Sequence, residues 1–156
     1  MEKKTNVMRI LDSKKAVYKM HDYSDSDKIS GVEVAEYLGE NPDQVFKTLV
    51  TIGKSKNYYV FLVPVHKELD LKKAAKSVNE KSIEMIKSKD LLPLTGYVHG
   101  GCSPIGMKKF FKTTIDISAE KHPTIFFSGG KIGKQVEMTL DTLGKVIRYS
   151  LEDLCV

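Results

Sequence analysis

Apolar positions change period several times along the chain, and each change predicts an element. Val7, Met8, Ile10 and Leu11 sit at helical spacing within residues 6–15, which predicts an amphipathic first helix. Residues 16–21 then alternate, Val17 and Lys19 against Tyr18 and Met20, as a strand does. The polar run 24–28 reads as a loop. Ser30-Gly31-Val32-Glu33 matches a capping box and Gly39 stands where a helix C-cap belongs, so residues 31–38 form the best-marked helix. Asn41-Pro42 opens another helical turn, because proline is tolerated at the first helical position. Residues 45–52 and 58–65 are mostly β-branched or aromatic, and Gly53-Lys54-Ser55-Lys56-Asn57 between them predicts a hairpin.

Further on, Leu71, Ala74, Ala75 and Val78 return to helical spacing within 69–78. Residues 82–86 read as a short strand, 88–94 as a short helix, and 113–117, 124–127 and 135–139 as strands. The tail reads as a short helix or mixed segment. This order implies an α+β fold. Its sheet should be mixed, mostly antiparallel and barrel-like, with helices around it. At 156 residues, without repeats or a linker, the chain fits one domain spanning 1–156.

Composition narrows the function classes. The chain is 41% apolar and 29% charged, an ordinary globular balance. No run approaches the ~18 apolar residues of a membrane span. The N-terminus lacks the apolar core of a secretory leader, so no membrane association and a cytoplasmic location are expected. The two cysteines, Cys102 and Cys155, lack metal-binding spacing and the four histidines are scattered. Two ordinary thiols, no metal and no cofactor are therefore expected. A formal charge of +5 allows an anionic partner. Arg9 and Arg148 are the only arginines, so phosphate attraction by lysine is favoured over base reading by arginine.

Three features could carry chemistry. Gly96-Tyr97-Val98-His99-Gly100-Gly101-Cys102-Ser103-Pro104-Ile105-Gly106 is the densest glycine segment, suited to a backbone that approaches a ligand closely or to a tight connection. Ser128-Gly129-Gly130-Lys131-Ile132-Gly133 is either a hairpin turn or a second such cradle. Lys47 lies inside a strand whose two faces are both largely apolar. An ammonium there is costly unless it snorkels to water or finds a polar cleft. Cys102 beside His99 lacks a demonstrable base and orienting group, so it reads as inert; Ser103 before Pro104 reads as a turn hydroxyl.

Taken in order, these pieces resemble the YbaK/EbsC family, relatives of the prolyl-tRNA synthetase editing domain. The resemblance rests on His21-Asp22-Tyr23, on Asn41-Pro42-Asp43-Gln44-Val45-Phe46-Lys47-Thr48-Leu49 and on Leu69-Asp70-Leu71-Lys72-Lys73-Ala74-Ala75-Lys76. The first glycine segment and the Ser128-Gly129-Gly130-Lys131 turn complete it, so that about residues 5–154 are covered. It implies deacylation of mischarged tRNA, chiefly Cys-tRNA(Pro), with prolyl-tRNA synthetase as a possible partner. Ala-tRNA(Pro) hydrolysis and a non-catalytic tRNA-binding module are the alternatives. It assigns the essential lysine to Lys47 and oxyanion contacts to the backbones of Gly100 and Gly101. Tyr23, Ser30, Thr48, Ser103, Ser128, Gly129 and Gln135 are expected around the substrate, and Lys108, Lys109 and Lys131 on the tRNA backbone. Two positions depart from the family pattern: Ser30 where relatives carry a pocket phenylalanine, and Gln135 where some carry an aspartate. The mechanism implied uses no enzyme nucleophile. The cysteinyl thiol attacks its own ester and leaves as a cyclic thioester.

Overall fold

The computed structural model describes residues 4–156; residues 1–3 of the expected 1–156 domain lie outside the described residues. Helix α1 (Asn6–Ser13) starts on Thr5, whose hydroxyl accepts from the Met8 N–H, and buries Val7, Met8 and Leu11. Strand β1 (Lys19–Asp22) begins three residues later than the alternation at 16 implied. Helix α2 (Gly31–Leu38) has the expected bounds. Ser30 caps it through the Glu33 N–H, Glu33 takes the serine hydroxyl in return, and Gly39 closes it at φ 70°.

Strands β2 (Phe46–Gly53) and β3 (Tyr58–Pro64) form the expected hairpin. Helix α3 (Leu71–Ser77) follows, capped by Asp70, then β4 (Ile83–Met85) and α4 (Ser88–Thr95). The remaining elements are β5 (Lys112–Asp116), β6 (Ile125–Ser128), β7 (Lys134–Met138), α5 (Leu140–Gly144) and β8 (Ser150–Glu152). A 3-10 turn over Ile117–Lys121, which no periodicity announced, separates β5 from β6.

The strands make two sheets, ordered β1-β7-β6 and β4-β2-β3-β5-β8. Pairing is antiparallel except for β3 with β5 and β5 with β8. The sheets meet where Val45 bridges Phe126, and the sheet does not close into a barrel. Strand β3 is covered on both faces, which accounts for its unbroken apolar run. Val60 and Leu62 face α1 and the three-stranded sheet, while Phe61 and Val63 face α3. Ala35 of α2 packs with Val45, Val65 and Phe126 over the seam between the sheets.

A buried carboxylate helps tie down the chain just after β8. Asp116, 4% exposed, accepts from the Leu154 N–H at 2.9 Å and the Ser118 N–H at 3.2 Å. Burial pushes its acidity towards weakness, but hydrogen bonds from Ser118 and from the Leu154 N–H outweigh it and hold the carboxyl below its ordinary value. Because the folded value is the lower one, its stabilisation is present above the unfolded value of about 4. It is lost as pH falls through the folded value. Asp116→Ala is expected to cost about 2–3 kcal/mol at neutral pH, since it orphans the buried Leu154 N–H and the half-buried Ser118 N–H. Urea unfolding of mutant and wild type should show that gap shrinking on acidification; a gap independent of pH would contradict the role.

Candidate functional site

One cavity of about 770 Å³ opens at the seam between the sheets. The start of α2, the first half of β2, the end of β6, the start of β7, α4 and the loop at 99–102 all contribute to it. There the chain just before β2 serves both sheets: Val45 bridges Phe126 of β6 while its carbonyl still accepts from the Val65 N–H beyond β3.

Lys47 lines this cavity together with Tyr23, Ser30, Thr48, Gly100, Ser128 and Gln135, residues scattered over more than a hundred positions of sequence. Lys47 is half-buried, and among the described residues its ammonium has no hydrogen bond or ion pair. The apolar surroundings that made it expensive on paper are relieved by the cavity. Lys134 also lines the cavity but is paired with Asp22. The carboxylate that lines it, Glu33, is engaged by Ser30 at 3.0 Å. Lys47 is thus a cation held ready for an anionic or polarised oxygen.

The two glycine segments abut. A Cβ on Gly101 would come within 3.0 Å of the Ile132 backbone nitrogen, so only glycine lets the loops pack this closely. Gly100 takes φ 87°, and a Cβ there would sit 2.9 Å from Ile29. The two adjacent N–H groups differ in availability. That of Gly101 donates to the Val98 carbonyl at 3.0 Å, whereas that of Gly100 has no acceptor among the described residues. Gly101 does not line the cavity, and its N–H is unavailable for an oxyanion.

The other expected residues divide in the same way. Tyr23 is 5% exposed; burial pushes the pKa of its hydroxyl above the usual value, and a hydrogen bond from the Gly133 backbone pulls it partly back. Ser128 accepts from the Gly130 N–H at 3.1 Å, which leaves its own proton to donate. Thr48 carries a buried hydroxyl without a partner. Ser30 reaches the cavity, but its hydroxyl is committed to capping α2. Ser103 is fully buried, accepts from the Ile105 N–H and lies off the cavity wall, a turn hydroxyl. Gly129 closes the β6–β7 hairpin by donating to Lys134 and also lies off the wall. Lys108, Lys109 and Lys131 are exposed and outside the cavity. Cys102 does line it, but burial pushes its thiol up to about 12, which removes the thiolate a nucleophile needs. No cluster able to hold a metal exists among the described residues.

Sequence reasoning missed His99, Glu33 and Leu91 on the wall, and Glu40 behind it. His99 had a local signal in its glycine setting. Glu40 had none, because it meets Gln135 only through the fold.

The profile of the aminoacyl-tRNA editing domain matches residues 27–146, which spans most of the chain and every lining residue except Tyr23. The chain belongs to that family. It is 43% identical over 143 residues to EbsC of Enterococcus faecalis, a candidate Cys-tRNA(Pro)/Cys-tRNA(Cys) deacylase, covering 91% of this chain and 87% of that protein. Over 76 residues it is 32% identical to a proline–tRNA ligase of Fervidobacterium nodosum, covering 49% of this chain and 13% of the ligase. A solved structure of a candidate trans-editing enzyme for prolyl tRNA synthetase superposes with a TM-score of 0.84 at 22% identity, over 99% of both chains; this likeness is one of fold. Among the described residues no helix is long and apolar enough to cross a membrane.

Proposed function

We propose that the seam cavity receives the aminoacyl end of a mischarged tRNA, and that the chain is a trans-editing deacylase acting on Cys-tRNA(Pro) in the cytoplasm. The observation that carries this is the meeting of Lys47, Gly100, Ser128 and Tyr23 in one cavity of about 770 Å³, a size suited to an aminoacyl ester and part of its nucleoside. The two aligned relatives carry names that concern tRNA aminoacylation or its correction, which supports the substrate class.

The geometry performs the reaction without a nucleophile of its own. Cys102 is too weakly acidic to attack. The substrate's cysteinyl sulfur, as thiolate, adds to its own ester carbonyl, and the ribose oxygen leaves with a proton. The product is a cyclic thioester that water opens to free cysteine. Holding the thiol near the carbonyl supplies an effective concentration on the order of 10⁵–10⁸ M. The Gly100 N–H is a donor for the tetrahedral oxyanion, and Lys47 supplies charge to that oxygen or to the terminal phosphate. Ser128 donates to the substrate and Tyr23 packs against it. Lys108, Lys109 and Lys131 attract the acceptor stem in a salt-dependent manner. Prolyl-tRNA synthetase is the proposed partner, a reading supported by the alignment of 76 residues of this chain with part of a proline–tRNA ligase.

The test is a panel of aminoacyl-tRNAs, Cys-, Ala-, Ser- and Pro-tRNA(Pro), assayed for release with and without prolyl-tRNA synthetase. Cys-tRNA(Pro) should be cleared fastest. Tight tRNA binding with no release of any amino acid would replace the enzyme reading with that of a binding module.

A further inference from the structure

Behind the cavity wall lies a pair of polar side chains that the reaction above does not use. Gln135 is 3% exposed and lines the cavity. Its Nε2 donates to Glu40 Oε1 at 3.0 Å, across 95 positions of sequence. An amide that donates on one side presents its carbonyl on the other, and the reverse orientation would set two acceptor oxygens face to face. Gln135 Oε1 is buried and accepts no hydrogen bond among the described residues; neither does Glu40 Oε2. Orphaned buried acceptors are rare in folded proteins and call for a donor that is absent from the bare chain. A phosphate or carboxylate cannot be that donor, because it offers no N–H or O–H. A primary ammonium can, because it carries three N–H groups and no acceptor.

We propose that Gln135 receives the α-ammonium of the aminoacyl ester and that Glu40 is the positioning residue that turns its carbonyl to the cavity. This rests on the deacylase reading. It gives the wall a polarity. Lys47 and the Gly100 N–H are donors for the ester end, and Gln135 is an acceptor for the amine end. Together they fix the direction in which the amino acid lies. Ser128 stands directly across from Gln135 in the β6–β7 pairing, so the side-chain donor and the acceptor share one place on the sheet. Behind them, His21 binds Glu137 at 2.8 Å and Thr124 binds the other Glu137 oxygen at 2.6 Å, which leaves Glu40 as the side chain that orients the amide.

The test compares Cys-tRNA(Pro) with its N-acetyl derivative, which keeps the thiol and ester but lacks the ammonium. For wild type, acetylation should raise KM by about tenfold while kcat changes by no more than about twofold. Gln135→Met, of similar length and without an acceptor, should show the raised KM on the free ester and no discrimination between the two esters. Glu40→Gln should lose part of the discrimination with its melting temperature kept. Equal KM values for the two esters with wild type would overturn the assignment, and that comparison needs no variant to fold. Discrimination retained in folded Gln135→Met would overturn it too. If wild type releases neither ester, the deacylase reading itself fails.

Discussion

Lys47→Ala is expected to lower the deacylation rate of Cys-tRNA(Pro) by about 10²–10³-fold, the loss seen when one preorganised stabiliser of a developing oxyanion is removed. The structure singles out this residue because its ammonium has no partner among the described residues and lines the cavity that Gly100 and Ser128 also line. Folding should be little affected. The side chain is half-buried and bonded to nothing, so removing it should shift stability by about 0.5 kcal/mol or less. The measurement is single-turnover release from radiolabelled Cys-tRNA(Pro), paired with a thermal melt. A folded mutant that releases cysteine at the wild-type rate removes Lys47 from the mechanism.

Exchanging the substrate's sulfur for oxygen should have an effect of similar size. A cysteinyl thiol has a pKa of about 8.5, so a few per cent is thiolate at neutral pH. A serine hydroxyl is essentially never ionised there. If the ester is cleaved by its own side chain, Ser-tRNA(Pro) should react at least about 10²-fold more slowly than Cys-tRNA(Pro), and Ala-tRNA(Pro), with no side-chain nucleophile, slower still. The Cys rate should also climb with pH towards the thiol pKa of about 8.5 and then level. The rival is hydrolysis by a positioned water. His99 and Glu33 both line the cavity and could serve as its base. In that case the Ala ester would be cleaved about as fast as the Cys ester, and the pH profile would follow an enzyme group instead. Rates for the three esters across pH 6–9 decide between these mechanisms; near-equal rates would sink the substrate-assisted one.

Local chemistry in the chain was enough to place most elements. The capping box at Ser30, the Gly39 terminator and the hairpin at 53–57 acted within a few residues of themselves, and each formed where read. The motif-bearing residues Lys47, Gly100 and Ser128 could be named as a set only through family resemblance, because spacing alone left each with an ordinary structural reading. The 3-10 turn at Ile117–Lys121 and the parallel strand β8 escaped notice, since neither has a period of its own. Their form comes from neighbours: Asp116 captures the Leu154 N–H across 38 residues and lays β8 beside β5.

The backbone turn at 98–101 decided which of two adjacent glycines keeps a free N–H. Gly100 and Gly101 are chemically alike in the sequence, and the difference lies in whether Val98 folds back to accept from one of them. Tertiary structure decided that Gln135 is turned by a glutamate far away in the chain. The amino-acid order determined the elements, the family and the lysine, because those depend on backbone preference and on motifs carried by neighbouring residues. Donor and acceptor availability is settled by the competition among all polar groups brought within about 3 Å, and only the closed fold determines which groups those are.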